Sequence, residues 1–441
     1  MMQFGSAKSH AFRPLPPKKS AVVSVLDIGS SKVCCLIARL RPLEGVDVLP
    51  GRTHSVEVLG IGHQQSRGIK TGVVVDLDGA EQSIRLAVDA AERMAGITVE
   101  SLIVSLSCGR LASEGYSANI ALSGHEVSES DIQKVLQAGS AHSISEGRKV
   151  IHSLPIGYAL DGNRGFDDPR GMIGKDLGVD MHVVTADTAP LRNLELCINR
   201  CHLSVETMVA TPYASGLASL VDDEAALGVT CVDMGGGTTT MSIFIDGHFV
   251  HTDAIAVGGH HVTMDIARGL STRMVDAERI KALHGSALPS VSEDRDILSI
   301  PQVGDDDNDV PNQVPRSTLT RIIRPRVEEI LELIRDRLNA SGYAPHVGRR
   351  IVLTGGASQL TGMTEAARRI IGRNVRLGRP LGVVGLPEAA KGPAFSAAVG
   401  LLIYPQIAQL EQLRPRATTK VLLNGTDGYL SRVGQWFKES F

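Results

Sequence analysis

Several features are scarce in this 441-residue sequence, and each scarcity removes a class of function. No run reaches the ~18 apolar residues of a membrane-spanning helix, so none is expected. The formal net charge is only -3, which leaves no basic footprint for DNA or RNA, so nucleic acid is not expected as a ligand. The six cysteines (Cys34, Cys35, Cys108, Cys197, Cys201 and Cys231) contain no CxxC pair. Cys197 and Cys201, followed by His202, stand one helical turn apart, but no second ligand cluster accompanies them. They read as small buried side chains and not as a zinc or redox site. A GxxxxGK[ST] phosphate loop is absent. Residues 1–20 carry Lys8, Arg13, Lys18, Lys19 and three prolines without an apolar run, as expected of a disordered tail and not of a signal peptide. Aromatic residues make up 3% of the chain, and the single tryptophan is Trp436.

What is present is an alternation of strands and helices. Residues 21–27 are apolar and β-branched, as in a buried strand, and lead through a turn at Gly29 into a second strand at 33–38. A helix is expected at 77–95, ending at Gly96. The stretch 100–184 is strand-rich, with strands around 101–107 and 148–159 and one helix, 129–140, capped by Ser128 with Asp131 in its first turn. It reads as a self-contained α+β insertion. Helix 189–201, strand 205–210, helix 213–220, a polar break at 222–226, strands 228–233 and 239–245, and helix 273–283 follow. Residues 286–314 read as loop. Their acidic cluster at 304–309 lacks the glycine and glutamate order of a calcium loop, so a solvated segment is expected. A long helix at 322–340 places Pro325 near its start. Strand 350–354 leads through Gly355-Gly356 into a helix, 395–404 is the last core helix, and 405–427 is a linker.

One pattern occurs twice, 206 residues apart (233 − 27): strand, Asp, x, Gly, turn, strand. A matched pair of such hairpins suggests a duplicated α/β domain. In the first, Asp27-Ile28-Gly29-Ser30-Ser31-Lys32, the glycine frees the backbone so that successive N–H groups point into the turn. Two hydroxyls and an ammonium complete a nest for phosphate. In the second, Asp233-Met234-Gly235-Gly236-Gly237-Thr238-Thr239, three residues without Cβ let the backbone approach a ligand. A carboxylate at each strand end would repel phosphate unless a cation intervened, so Asp27 and Asp233 are expected to hold Mg²⁺ through water. Gly355 and Gly356 end a later strand and suit a place against adenosine. Glu278 and Lys281 lie one turn apart on one helix face, where they either bond ribose hydroxyls or pair with each other.

The motifs D-I-G-S-S-K, D-M-G-G-G-T-T and T-G-G-A together resemble the actin-like ATPase superfamily, which includes heat-shock chaperones, sugar kinases and MreB. Within it the sequence is most similar to the FtsA family of bacterial cell-division proteins. That similarity rests on Arg67-Gly68-Ile69-Lys70 with Gly72 to Asp76, on Val257-Gly258-Gly259 through Asp265 and Ala267, and on Ala277-Glu278 with Lys281. The resemblance implies ATP and Mg²⁺ as cofactors, with Glu278 and Lys281 facing the ribose. It implies an actin-like fold of two duplicated α/β domains around a nucleotide cleft. In chain order it implies domain 1A at 21–99, an SHS2-like 1C insertion at 100–184, and 1A again at 185–212. Domain 2A is then expected at 213–267, 2B at 268–345, 2A again at 346–391 and a return helix of 1A at 392–404. The implied partners are the tubulin-like FtsZ, through 2B, further copies of the chain, and later division proteins. Where MreB-like relatives carry the glutamate that orients the hydrolytic water, this sequence has Thr211 before Pro212. Threonine is no carboxylate base, so tight binding with slow hydrolysis is expected. An ATPase or kinase, or a PilM-like or MreB-like scaffold, is the alternative. A chaperone needs a substrate domain and a kinase a base beside a sugar pocket, and neither is evident.

Residues 428–441 form the last recognisable unit. Leu430, Val433, Trp436, Phe437 and Phe441 fall on one helical face, opposite Arg432, Gln435, Lys438 and Glu439. Such a helix either docks on protein or lies in a membrane surface. The polar linker before it, the Trp and Phe at headgroup level, and the basic residues around it favour anionic lipid. It also resembles the membrane-targeting helix of the FtsA family, which implies a peripheral place on the cytoplasmic side of the inner membrane at the midcell division site.

Overall fold

The computed structural model describes residues 15–16, 18–43, 52–141, 144–290, 293–304, 312–408 and 411. The acidic cluster from Asp305 onward and the amphipathic segment 428–441 lie outside the described residues.

The repeat seen at Asp27 and Asp233 is the repeat of a whole sheet. Strands Ala21–Ile28, Lys32–Pro42 and His54–Gln65 form an antiparallel meander, and Ser101–Leu106 and Ser204–Ala210 extend it in parallel from the Ala21–Ile28 side. Val229–Met234, Thr239–Ile245 and His248–Ile255 repeat the meander, and Arg350–Thr354 and Asn374–Leu377 repeat the parallel extension. Five strands correspond in order, and the first sheet gains a sixth, Val383–Val384, beside His54–Gln65. The second sheet's central strands are buried throughout, which is why their sequence is a continuous apolar run and not an alternation. Each sheet has its own core, and helix Thr211–Ser219 packs between them with helix Ser396–Ile407.

The insertion is a third unit. Ala112–Ala121, Asp176–Asp187, Arg148–Leu160 and Asn163–Phe166 form one sheet, covered by helix Glu129–Ser140 over a core of Leu122, Val135, Leu136, Val179 and Met181. Ser128 caps that helix as expected, and Asp131 returns the bond to make the cap reciprocal. The boundary at 100 is corrected: Ser101–Leu106 belongs to the first sheet, in parallel register with Ala21–Ile28, and the insertion begins beyond Leu106. A short apolar strand reads the same in either place.

Helix Leu77–Ala95 forms where expected, with Asp76 accepting from the Asp78 N–H and Gly96 closing it in the left-handed conformation. Five other expectations are corrected. The polar break at 222–226 is a short helix, Asp222–Ala226, whose Glu224 is buried against Arg350 and Arg376. The loop at 286–314 contains a hairpin, Ile297–Ile300 with Asn312–Pro315. The long helix spans Arg316–Ala340, so Pro325 lies inside it. The proline is exposed, on the face of the helix away from the second core. Helix Ser396–Ile407 continues through Pro405 into the expected linker. Leu15 is buried and donates its N–H to the Pro405 carbonyl, and the Lys19 carbonyl accepts from His54, so this part of the N-terminal segment is ordered on the first core.

Candidate functional site

Both hairpins close with the same bond, Gly29 N–H to the Lys32 carbonyl and Gly235 N–H to the Thr238 carbonyl, each 2.9 Å. Gly29 is not in the left-handed region, contrary to the expectation of special backbone freedom. Its requirement is space, because a Cβ there would sit 3.0 Å from the Lys32 carbonyl. The hairpins face each other across the two domains: a Cβ on Gly236 would overlap Ser31 Oγ, and one on Gly237 would overlap Ser30 Oγ. Gly236 and Gly237 must therefore lack a side chain for the turns to meet, while Gly235 must clear the Thr238 carbonyl of its own hairpin.

Between them lies a cavity of about 450 Å³. Asp27, Gly29, Ser30, Ser31 and Lys32 line it from the first hairpin, and Asp233, Gly235, Gly236, Gly237 and Thr238 from the second. Gly355 and Gly356 contribute from the strand end, and Glu278 and Lys281 from helix Met274–His284. Thr239 does not reach it. Its hydroxyl donates to the Val257 carbonyl on the other face of the strand. Thr240 lines the cavity instead. Strand side chains alternate, and Thr240 is the register partner of Asp233, so the face that holds the carboxylate also holds Thr240. That alternation was the available signal. Thr211 and Thr240 both line the cavity, and among the described residues their buried hydroxyls have no hydrogen-bond partner.

Asp27 accepts from Ser105 Oγ at 2.8 Å, and Asp233 accepts from Ser215 Oγ. Neither serine stood out in the sequence, since each lies on an element distant from its partner. Burial raises the Asp27 pKa, against the opposing pull of Lys32 and Ser105. Burial pushes the Asp233 carboxyl up to about 6, with the Ser215 bond opposing and the Asp27 charge adding to it. Lys32 does not point freely into the nest: its ammonium donates to the Ala394 carbonyl and lies 3.6 Å from the centre of the Phe395 ring. Two buried carboxylates therefore share a cleft whose nearest ammonium is engaged elsewhere. A divalent cation fits that deficit. Among the described residues no third acidic, His or Cys ligand joins them, so water or ligand oxygens would complete the shell, as Mg²⁺ prefers.

Glu278 and Lys281 pair with each other at 2.7 Å, and both touch Thr263. Burial alone would raise the Glu278 pKa, but Lys281 and the Thr263 hydroxyl outweigh it and hold the carboxyl below its ordinary range. The pair stands at the cavity wall as one unit. Cys197 and Cys201 aim their thiols at the Leu77 and Glu81 carbonyls, packing one helix on another.

Comparison with known proteins agrees with this geometry. The profile of the family described as "Cell division protein FtsA" matches residues 230–400, and that of the "SHS2 domain inserted in FTSA" matches 108–185, where the third sheet lies. A Rhizobium meliloti protein, "Cell division protein FtsA", is 61% identical over all of both chains, and its Escherichia coli K12 namesake is 32% identical over 94% of this chain and 97% of its own. Among solved structures, the "PilM-PilN type IV pilus biogenesis complex" superposes with a TM-score of 0.59 over 87% of this chain and 98% of that one, at 14% identity, a likeness of fold. With the duplicated sheets, the facing hairpins and the inserted domain in place, this chain belongs to the FtsA family of actin-like cell-division proteins.

Proposed function

We propose that this cell-division protein binds ATP with Mg²⁺ in the cleft, self-associates, and tethers the FtsZ ring to the cytoplasmic face of the inner membrane. The observation that carries the nucleotide reading is the pair of interlocked glycine hairpins closing on two buried carboxylates in one cavity of about 450 Å³. Asp27 and Asp233 hold the cation through water. The backbone of both turns, with Ser30, Ser31 and Thr238, cradles phosphate, while Glu278 and Lys281 meet the ribose and Gly355 and Gly356 lie against the base and sugar. Domain 2B, 268–345, is the FtsZ contact, and the 1C insertion serves self-association or later division proteins. Residues 428–441 lie on anionic lipid.

Hydrolysis is slow in this reading. The acids at the cavity are Asp27, Asp233 and Glu278, the last tied to Lys281, and Thr211 has no carboxylate to activate water. Equilibrium titration of the full chain with a fluorescent ATP analogue tests the site. Affinity should fall at least about tenfold when EDTA replaces Mg²⁺, and Asp233→Asn should abolish that difference. Equal binding with and without Mg²⁺ contradicts the cation role, and steady turnover of several ATP per second contradicts slow hydrolysis.

A further inference from the structure

A chain of buried side chains that the nucleotide reading does not use runs from Ala210, beside the cleft, to Glu411. His152, on strand Arg148–Leu160 of the insertion, is wholly buried between the first sheet and helices Thr211–Ser219 and Ser396–Ile407. Its Nε2 accepts the Ala210 N–H at 2.9 Å. Only a nitrogen with a free lone pair can do so, and the ring proton therefore sits on Nδ1. That atom faces both carboxylate oxygens of Glu411 at 3.1 Å. The Glu411 carboxylate also accepts the Tyr404 hydroxyl at 3.1 Å, and its side chain is fully buried.

Each end of this relay is placed where something changes. Ala210 immediately precedes helix Thr211–Ser219, which has no side-chain cap. The helix's first residue lines the cleft, and one turn on Ser215 donates to Asp233. Glu411 is followed by the thirty residues, 441 − 411, that end in the amphipathic segment. The elements between are rigid. A Cβ on Gly400 would overlap the Ala214 carbonyl, so the two helices touch backbone to backbone, and the Tyr213 and Tyr404 rings meet edge to face. A buried carboxylate bonded by one imidazole N–H and one phenol has two distinct states: docked, or released to water. Few intermediate positions satisfy its charge.

We propose that Glu411 is a latch, docked on His152 and Tyr404, through which occupancy of the cleft governs release of the C-terminal segment. The proposal rests on the cleft binding nucleotide. A ligand that repositions the first turn of helix Thr211–Ser219 moves the Ala210 N–H, and with it the ring that holds Glu411. By linkage, undocking Glu411 must change nucleotide affinity by the same factor that nucleotide changes docking.

The test uses the full chain, Glu411→Gln and Glu411→Ala, with Tyr404→Phe as a milder variant that keeps the ring. Nucleotide affinity is measured by titration, and amide exchange is followed across residues 400–411 with and without Mg-ATP. In the wild type, nucleotide should alter exchange there by about fivefold or more, and Glu411→Ala should remove that response and shift nucleotide affinity by a matching factor, with Tyr404→Phe intermediate. Glu411→Gln separates charge from shape and should fall between the wild type and Glu411→Ala. If Glu411→Ala speeds exchange but leaves affinity and the nucleotide response intact, the contact is a local anchor and the latch is wrong. A wild type that binds nucleotide without altering exchange also overturns it. A wild type that binds no nucleotide overturns the cleft reading, and the latch with it.

Discussion

Gly355 is constrained in the cleft by both its backbone conformation and its surroundings. Its φ of 84° lies in the left-handed region, and a Cβ there would overlap Asp233 Oδ1. Gly355→Ala therefore meets two penalties, backbone strain and displacement of the carboxylate. Thermal unfolding should show a loss of about 1–3 kcal/mol. Mg-dependent nucleotide binding should be weakened further still in the folded fraction, and an alanine variant with wild-type binding would show that Asp233 does not need its present position. At this scale much of the site was legible. Asp27, Asp233, the glycines and serines of both turns, and the Glu278–Lys281 pair announce themselves by spacing. Thr239 misled because threonines next to a glycine turn look equivalent until the strand's alternation assigns only Thr240 to the cleft. Ser105 and Ser215 were hidden, since a hydroxyl on a strand and one on a helix carry no mark of the carboxylates they serve.

Among the elements, the insertion is bound to the second sheet by a polar chain. The Thr252 N–H donates to Ser113 Oγ at 3.2 Å, that hydroxyl donates to His182 Nε2 at 2.7 Å, and His182 Nδ1–H donates to the Phe249 carbonyl at 2.7 Å. Burial drives the His182 pKa down to about 3, with neighbouring His251 adding to the effect and the Phe249 bond opposing it. Burial takes His251 itself down to about 4. Both rings are neutral in the fold but bind a proton near pH 6.5 when unfolded. The unfolded chain thus holds more protons below that pH. The stability these rings contribute is complete above about pH 6.5 and is lost as pH falls towards 4 and then 3. Each contributes a slope of about 1.4 kcal/mol per pH unit over that window. His182→Gln should flatten the acid side of the urea-midpoint profile by about one such slope, and an unchanged profile would mean that the ring is already solvated. Nothing in the sequence marked this seam, because histidines on two distant strands show no periodic relation. Elements themselves were legible where one force dominated, as for the capped helices Leu77–Ala95 and Glu129–Ser140. They were misjudged where a local signal was overridden. Exposed Pro325 does not lie near the start of its helix, since Leu319 already packs into the second core ahead of it.

For the molecule as a whole, the sheet duplication was legible from two hairpins, but the membrane attachment proposed above would depend on number and not on fold. In the proposed membrane role, five apolar side chains on residues 428–441, at about 1–2 kcal/mol each, would have to offset the ordering of fourteen residues, a length too short for a helix to persist in water. On the proposed reading, one segment alone would hold lipid weakly and reversibly. Two or more held together by self-association gain an effective concentration that multiplies affinity by about 10² or more, without a new contact. The nucleotide-dependent core, not the segment, would then decide whether the protein stays on the membrane. Liposome co-sedimentation with anionic lipid measures this directly. Deleting residues 428–441 should abolish binding of the full chain. Grafting the segment onto a monomeric carrier should give weak, salt-sensitive binding, and grafting it onto a dimeric carrier should tighten binding about a hundredfold. Equal sedimentation of the deleted and intact chains would remove the anchor from the argument. Equal binding by the monomeric and dimeric carriers would keep the anchor, and would show instead that its grip is set by a single helix.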